Sequence, residues 1–230
     1  MKNSAGSAIS PKGLRRTDPR VSEDQSRQYF DAVADQWEEM RRTFFGDGLR
    51  DAAIRAAEIA PGSVVADVGT GTGFLAEAAL AAGARVIGID SSDGMLGQVR
   101  RRFAGRVFEP RAGDVDSLPL EDGEADAVLA NMVLHHAPDP PHAIEEMARA
   151  LKPGGRLVIT DADSHAHEWL REEQHDRWLG FKRADIARWF EAAGLVQVTV
   201  VDTCEICSPT AQCGEKAAIS IFLATGRKPA

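Results

Sequence analysis

Residues 64–90 read VVADVGTGTGFLAEAALAAGARVIGID. Two short β-branched runs, VVADV and RVIGID, flank a glycine-rich turn and the alanine–leucine stretch FLAEAALAAG. Apolar runs of this kind bounded by glycine predict buried strands, and the stretch between them predicts a crossover helix. The alternation continues outward. SSDGMLGQVRRRF predicts a helix, RVFEPRAGD a strand, VDSLPLEDGEA a polar loop and ADAVLANMVLHH a strand with its exit. DPPHAIEEMARALKPGG predicts a helix with a glycine stop, and RLVITDAD the next strand. Two helices, HEWLREEQHDRWLG and KRADIARWFEAAG, precede two closing strands, LVQVTVVD and KAAISIFLATGRK. Regular strand–helix alternation predicts an α/β, doubly wound sheet with right-handed crossovers and helices on both faces.

Upstream, QSRQYFDAVADQWEEMRR sets Phe30, Val33, Ala34, Trp37 and Met40 on one stripe of an amphipathic helix. GLRDAAIRAAEIA predicts a second helix, stopped by Pro61. The expected organisation is a polar tail over 1–21 and a single domain over 22–230, with N-terminal helices at 22–60. Of the 230 residues, 43% are hydrophobic and 27% charged, which excludes a wholly disordered chain. No apolar run approaches the ~20 residues of a membrane-spanning helix. Twenty-seven basic against 35 acidic residues leave a net charge of −8, which argues against a nucleic-acid partner. The start, MKNSAGSAISPKG, lacks the apolar stretch of a secretory signal, so a cytoplasmic location is expected.

The turn DVGTGTG stands where backbone must approach a ligand closely. A dinucleotide fingerprint wants its third glycine at the sixth position, where this chain has Phe74. Asp67 instead places a carboxylate before the loop, which suits the ammonium and sulfonium charges of S-adenosylmethionine better than a pyrophosphate. Asp90, ending the second strand, is placed to accept from ribose hydroxyls. Asp114, with Val115 beside it, is placed to accept from an adenine amino group.

DVGTGTG, VIGID and AGDVDSLPLEDGEADAVLANMVLHHAPDPPHAIEEMARALKPGGRLVITD together resemble the class I S-adenosylmethionine-dependent methyltransferases, most closely the small-molecule branch with the ubiquinone/menaquinone-type enzymes. FDAVADQWEEMR resembles the lid helix of that branch. The resemblance implies a Rossmann-like seven-stranded sheet of order 3-2-1-4-5-7-6 with strand 7 antiparallel. It implies S-adenosylmethionine contacts at Asp67, Gly69, Thr70, Gly71, Asp90, Ser91, Met95, Asp114, Val115 and Asn131, with Trp37 completing the pocket. A small molecule is the expected methyl acceptor. His135 and His136 follow the fourth strand and are candidates for a general base, needed where the nucleophile arrives protonated. The N-terminal helices read either as a lid or as a homodimer contact.

All three cysteines, Cys204, Cys207 and Cys213, fall in CEICSPTAQC, read as the connector between strands six and seven. With His165 or His167 as a fourth donor they are candidates for a zinc site. The alternatives are a thiolate pocket for a thiophilic metalloid such as trivalent arsenic, a thiol acceptor, or plain buried side chains. HAHEWLREEQHDRWLGFKRADIARWFEAAGL resembles, over a shorter stretch, methyltransferases associated with arsenic-type regulators. Arsenite methyltransferases spread their thiols along the chain, whereas this one clusters them. A non-catalytic sensor of S-adenosylmethionine or a soft metal, and a dinucleotide-dependent oxidoreductase, are the competing functions.

Overall fold

The computed structural model describes residues 23–230, so the tail expected over 1–21 lies outside the described residues. Three helices come first: α1 (Glu23–Val33), α2 (Trp37–Phe44) and α3 (Asp47–Ala57). The alternating part follows as β1 (Val64–Val68), α4 (Phe74–Ala81), β2 (Arg85–Asp90), α5 (Asp93–Arg102) and β3 (Phe108–Ala112). Next come β4 (Ala125–Asn131), a 3-10 turn at Leu134–His136, α6 (Pro140–Ala150) and β5 (Leu151–Ala162). The chain ends with α7 (Trp169–Glu173), α8 (Arg183–Ala192), β6 (Val196–Cys207) and β7 (Ile219–Arg227).

The strands form one sheet in the order β3-β2-β1-β4-β5-β7-β6, the order expected. β1 to β5 pair in parallel, while β7 runs antiparallel to both β5 and β6. Side chains alternate across a strand, so each strand feeds two cores. Ala127 and Leu129 of β4 join Val65, Leu75, Leu96 and Leu49 under α3, α4 and α5. Val128 and Ala130 point the other way, to Ile144, Met147, Phe190 and Phe222 under α6 and α8. The carboxyl ends of β1, β2 and β4 open onto one rim, where a parallel α/β sheet binds its ligands.

Four segments differ from the expected pattern. The single N-terminal helix is two, broken by a turn at 34–36 in which the Gln36 amide donates to the Val33 carbonyl at 2.9 Å. The break lets α1 dock on α5 while α2 docks on the glycine turn. α6 stops at Ala150 and hands directly to β5, so the glycines that follow turn the strand instead of capping the helix. The helix expected through 180 ends at Glu173, and His175 and Gly180 take left-handed backbone angles (φ 59° and 65°). β6 continues through Cys207, so Cys204 and Cys207 belong to a strand and only Cys213 to a connector.

Gly73 forms the N-cap of α4 with φ 88°, and a Cβ there would lie 2.4 Å from the Phe103 ring. Backbone and packing both require glycine. Gly73→Ala is expected to cost roughly 1–3 kcal/mol in urea unfolding. Gly105→Ala, at φ 79° with nothing within 4 Å, carries only the backbone part, about 1 kcal/mol. Equal losses in the two variants would show that the Phe103 contact does not matter.

Candidate active site

The site begins where β1 ends. Asp67 is buried, and its Oδ2 accepts from Thr70 Oγ1 at 2.7 Å and from the Ala76 amide at 3.1 Å. The turn between them is pinned to β2, since the Thr70 amide donates to the Ile89 carbonyl at 2.9 Å. Gly69, at φ 64°, presses so closely on Val133 that a Cβ would meet it at 2.3 Å. Asp90 then accepts from the Gly71 amide (2.8 Å) through one oxygen and the Ser92 amide (2.9 Å) through the other. Loss of water around the carboxyls pushes Asp67 up to about 7 and Asp90 up to about 6, against the hydrogen bonds that favour their charged forms.

The N-terminal helices complete this half. Asp31 Oδ1 accepts from Ser92 Oγ at 2.6 Å and from the Gly94 amide at 3.0 Å, so a carboxylate of α1 caps the start of α5. Trp37 stands against Gly71 and meets Phe30 and Phe44 at ring distances of 5.4 and 6.1 Å. Glu38 accepts from Thr72 Oγ1 at 2.9 Å and pairs with Arg41. The Arg41 guanidinium lies 4.1 Å over the Phe74 ring, and its Nη1 is buried without a hydrogen-bond partner.

The cavity runs on from the glycine turn into a second chamber. His135 Nδ1 donates to Asp161 Oδ1 at 2.8 Å, and its Nε2 faces Asp176 Oδ1 at 3.7 Å. His136 Nδ1 donates to the His175 carbonyl at 3.2 Å, and its ring stands edge-on to Phe30 at 5.2 Å. Tyr29 donates to Gln174 at 2.9 Å, tying α1 to the segment after α7. Phe44, Met132, Leu170, Trp178 and Ile219 supply apolar wall.

Every residue expected to touch the cofactor borders this one cavity: Trp37, Asp67, Gly69, Thr70, Gly71, Asp90, Ser91, Met95, Asp114, Val115 and Asn131. His135 and His136 border its second chamber. The cysteine cluster does not assemble. Cys207 and His165 border the cavity, whereas Cys204 and Cys213 are exposed and His167 turns to Glu215 at 3.4 Å. β6 is irregular between Asp202 and Ile206, where Cys204 (φ 61°) is exposed, while Cys207 beyond it is buried. Among the described residues, the three thiols and two histidines include no set of three donors gathered within metal-binding reach. Burial pushes the Cys207 thiol up to about 12, and burial beside His167 and His135 pulls His165 down to about 4. Arg41, Asp161 and Asp176 were not among the expected residues. No local motif marks them.

A family profile described as a methyltransferase domain matches residues 66–159. Over these residues the chain is similar to methyltransferase domains. The sheet order with its antiparallel β7 agrees, and it departs from the 3-2-1-4-5-6 order of dinucleotide-binding enzymes. The chain is 40% identical over 114 residues to a demethylmenaquinone methyltransferase of Clavibacter sepedonicus, covering 49% of this chain and 46% of the relative. It is 34% identical over 111 residues to an arsenite methyltransferase of Halobacterium salinarum, covering 46% and 28%. A methyltransferase solved with the Trm112 methyltransferase activator of Haloferax volcanii superposes with a TM-score of 0.71 at 26% identity, covering 87% of this chain and 98% of that one. The chain spans about half the length of curated relatives it matches, 48% and 46% in two of them.

Asp67 and Asp90, with Asp176 raised by burial to about 6, contribute to the pH response of the chain. An unfolded aspartate titrates near 3.9, so between there and about 7 the folded chain holds the extra proton. These carboxyls therefore withdraw stability from the ligand-free protein as pH rises through this window, and His135, raised to about 9 beside Asp161 and Asp176, extends the loss above it. Asp67→Asn keeps an acceptor for Thr70 and Ala76 and is expected to reduce that slope in urea unfolding across pH 5 to 8, leaving the shares of Asp90, Asp176 and His135. An unchanged slope would show that Asp67 does not titrate there.

Proposed function

We propose that this chain transfers the methyl group of S-adenosylmethionine to a small, largely apolar organic acceptor bearing an oxygen. The carrying observation is one cavity with two chemically distinct chambers. The first matches a zwitterionic cofactor. Arg41 is 5% exposed and holds an unpartnered Nη1 at the cavity. Buried donors without partners are rare, and the methionyl carboxylate of the cofactor supplies a charge-assisted bond. Asp67 offers the opposite charge for the ammonium and sulfonium. Asp90 uses one lone pair of each oxygen internally, which leaves capacity for ribose hydroxyls. Asp114 and Val115 stand at the adenine end, and Trp37 closes over the turn.

The second chamber is walled by aromatic and aliphatic side chains with a small polar floor. Such a pocket takes up a flat apolar molecule and orients its polar end. The sulfonium methyl is already activated, so the protein's task is in-line approach and exclusion of water. Phe30 and Trp37 stand where the two chambers meet and serve that purpose. A thiophilic metalloid acceptor draws no support from the single thiol at the cavity. Cys207 is held as a thiol, and the thiolate is the form that binds soft centres.

Calorimetry with S-adenosylmethionine and S-adenosylhomocysteine tests the reading. One saturable site per chain is expected. Arg41→Leu is expected to weaken binding about ten- to a hundredfold, the worth of a lost charge-assisted hydrogen bond. Absence of saturable binding by the wild-type protein would overturn the proposal.

A further inference from the structure

We infer that His135, His136 and Asp176 form a binding site for one divalent transition-metal ion, of the zinc, iron(II) or cobalt(II) class, on the floor of the acceptor chamber. The three residues each bring one donor atom to within 4.8 Å of the others, and all three border the cavity. They come from two places in the chain. The histidines lie on the 3-10 turn after β4, and Asp176 lies on the irregular strap after α7. The strap is fastened beneath the turn, because the Arg177 and Trp178 amides both donate to the His135 carbonyl, at 3.1 and 3.0 Å.

The hydrogen bonds behind the imidazoles point to a cation. The His136 Nδ1 partner is a backbone carbonyl, which can only accept, so the proton sits on Nδ1 and the Nε2 lone pair is free. His135 is held likewise by Asp161, itself fixed by the Ala162 amide at 2.7 Å and the His135 amide at 3.3 Å. Metal-bound histidines are oriented in this way, with the second ring nitrogen donating to a carboxylate or a carbonyl. The third donor fits too. His135 Nε2 and Asp176 Oδ1 stand 3.7 Å apart, too far for a hydrogen bond. That span suits two ligands each ~2.0–2.2 Å from a shared ion.

Charge and donor type agree. Asp161 is fully buried and Asp176 is 7% exposed, so two carboxylates face one imidazole pair with little water. Buried carboxylates call for a compensating charge. Two imidazoles and one carboxylate suit a transition metal better than magnesium or calcium, which prefer all-oxygen sites. Three protein ligands leave positions open toward the chamber, where an acceptor oxygen would bind. That last role rests on the proposed methyl transfer. Binding of the ion does not.

The competing occupant is a proton on His135. Titration of chelator-stripped protein with Co2+, followed by its visible absorption and by elemental analysis after desalting, separates the two. One ion per chain, displaced by Zn2+, is expected. Asp176→Asn and His136→Gln are expected to abolish tight binding, and Asp161→Asn to weaken it about ten- to a hundredfold. The Cys204→Ser, Cys213→Ser double variant is expected to bind as the wild type does. S-adenosylhomocysteine binding on the same samples reports both folding and the cofactor site. No stoichiometric Co2+ on wild-type protein that still binds S-adenosylhomocysteine would refute the metal site and leave the cofactor reading standing. Cobalt binding without S-adenosylhomocysteine binding would do the reverse, and undiminished Co2+ binding by folded Asp176→Asn would also refute the assigned ligands.

Discussion

At the carboxyl end of β1 the chain has to turn sharply inside the protein while its amides still find partners. Three glycines at positive φ make the turn possible, and two carboxylates make it stable. Asp67 takes the Thr70 hydroxyl and the Ala76 amide in the first turn of α4, while Asp90 takes the Gly71 and Ser92 amides. Each carboxylate replaces backbone partners that the turn removes. Their separation from water is what raises both pKa values. The same arrangement leaves an anionic, close-fitting cradle that a positively charged ligand neutralises.

The N-terminal helices rest on this cradle. Asp31 caps α5, Glu38 binds Thr72 beside the glycines, and Trp37 stacks on Gly71. α1 and α2 thus contact the loop from outside. Phe30 carries the connection further, touching Trp37 on one side and His136 on the other. The glycine turn, the N-terminal helices and the residues around His136 therefore share one contact chain, which suits the proposed reaction between two molecules aligned within a closed space.

The sheet and the gathering of the glycine-turn residues around one cavity were legible because their signals are local. Strand period, glycine spacing and an aspartate at each strand end all sit within a few residues of one another. The grouping of His135 with Asp161 and Asp176 was not legible. His135 meets Asp161 across 26 residues and Asp176 across the strap after α7, and no periodicity announces such pairs. Arg41 looked like one more charge on an amphipathic helix, and only its buried, unpartnered nitrogen distinguishes it. The cysteines misled for the opposite reason. Closeness in sequence suggested a cluster, but β6 runs through two of them and leaves Cys204 exposed at an irregularity and Cys207 buried. The break at 34–36 was likewise hidden, since a continuous apolar stripe does not say that its two halves dock on different partners.

A crystal structure with S-adenosylhomocysteine bound at saturation tests the account most directly. Density is expected across the glycine turn, with the ribose at Asp90, the adenine beside Asp114 and the methionyl carboxylate on Arg41. Ligand bound elsewhere, or in this cavity with its carboxylate away from Arg41 and its ribose away from Asp90, would contradict it.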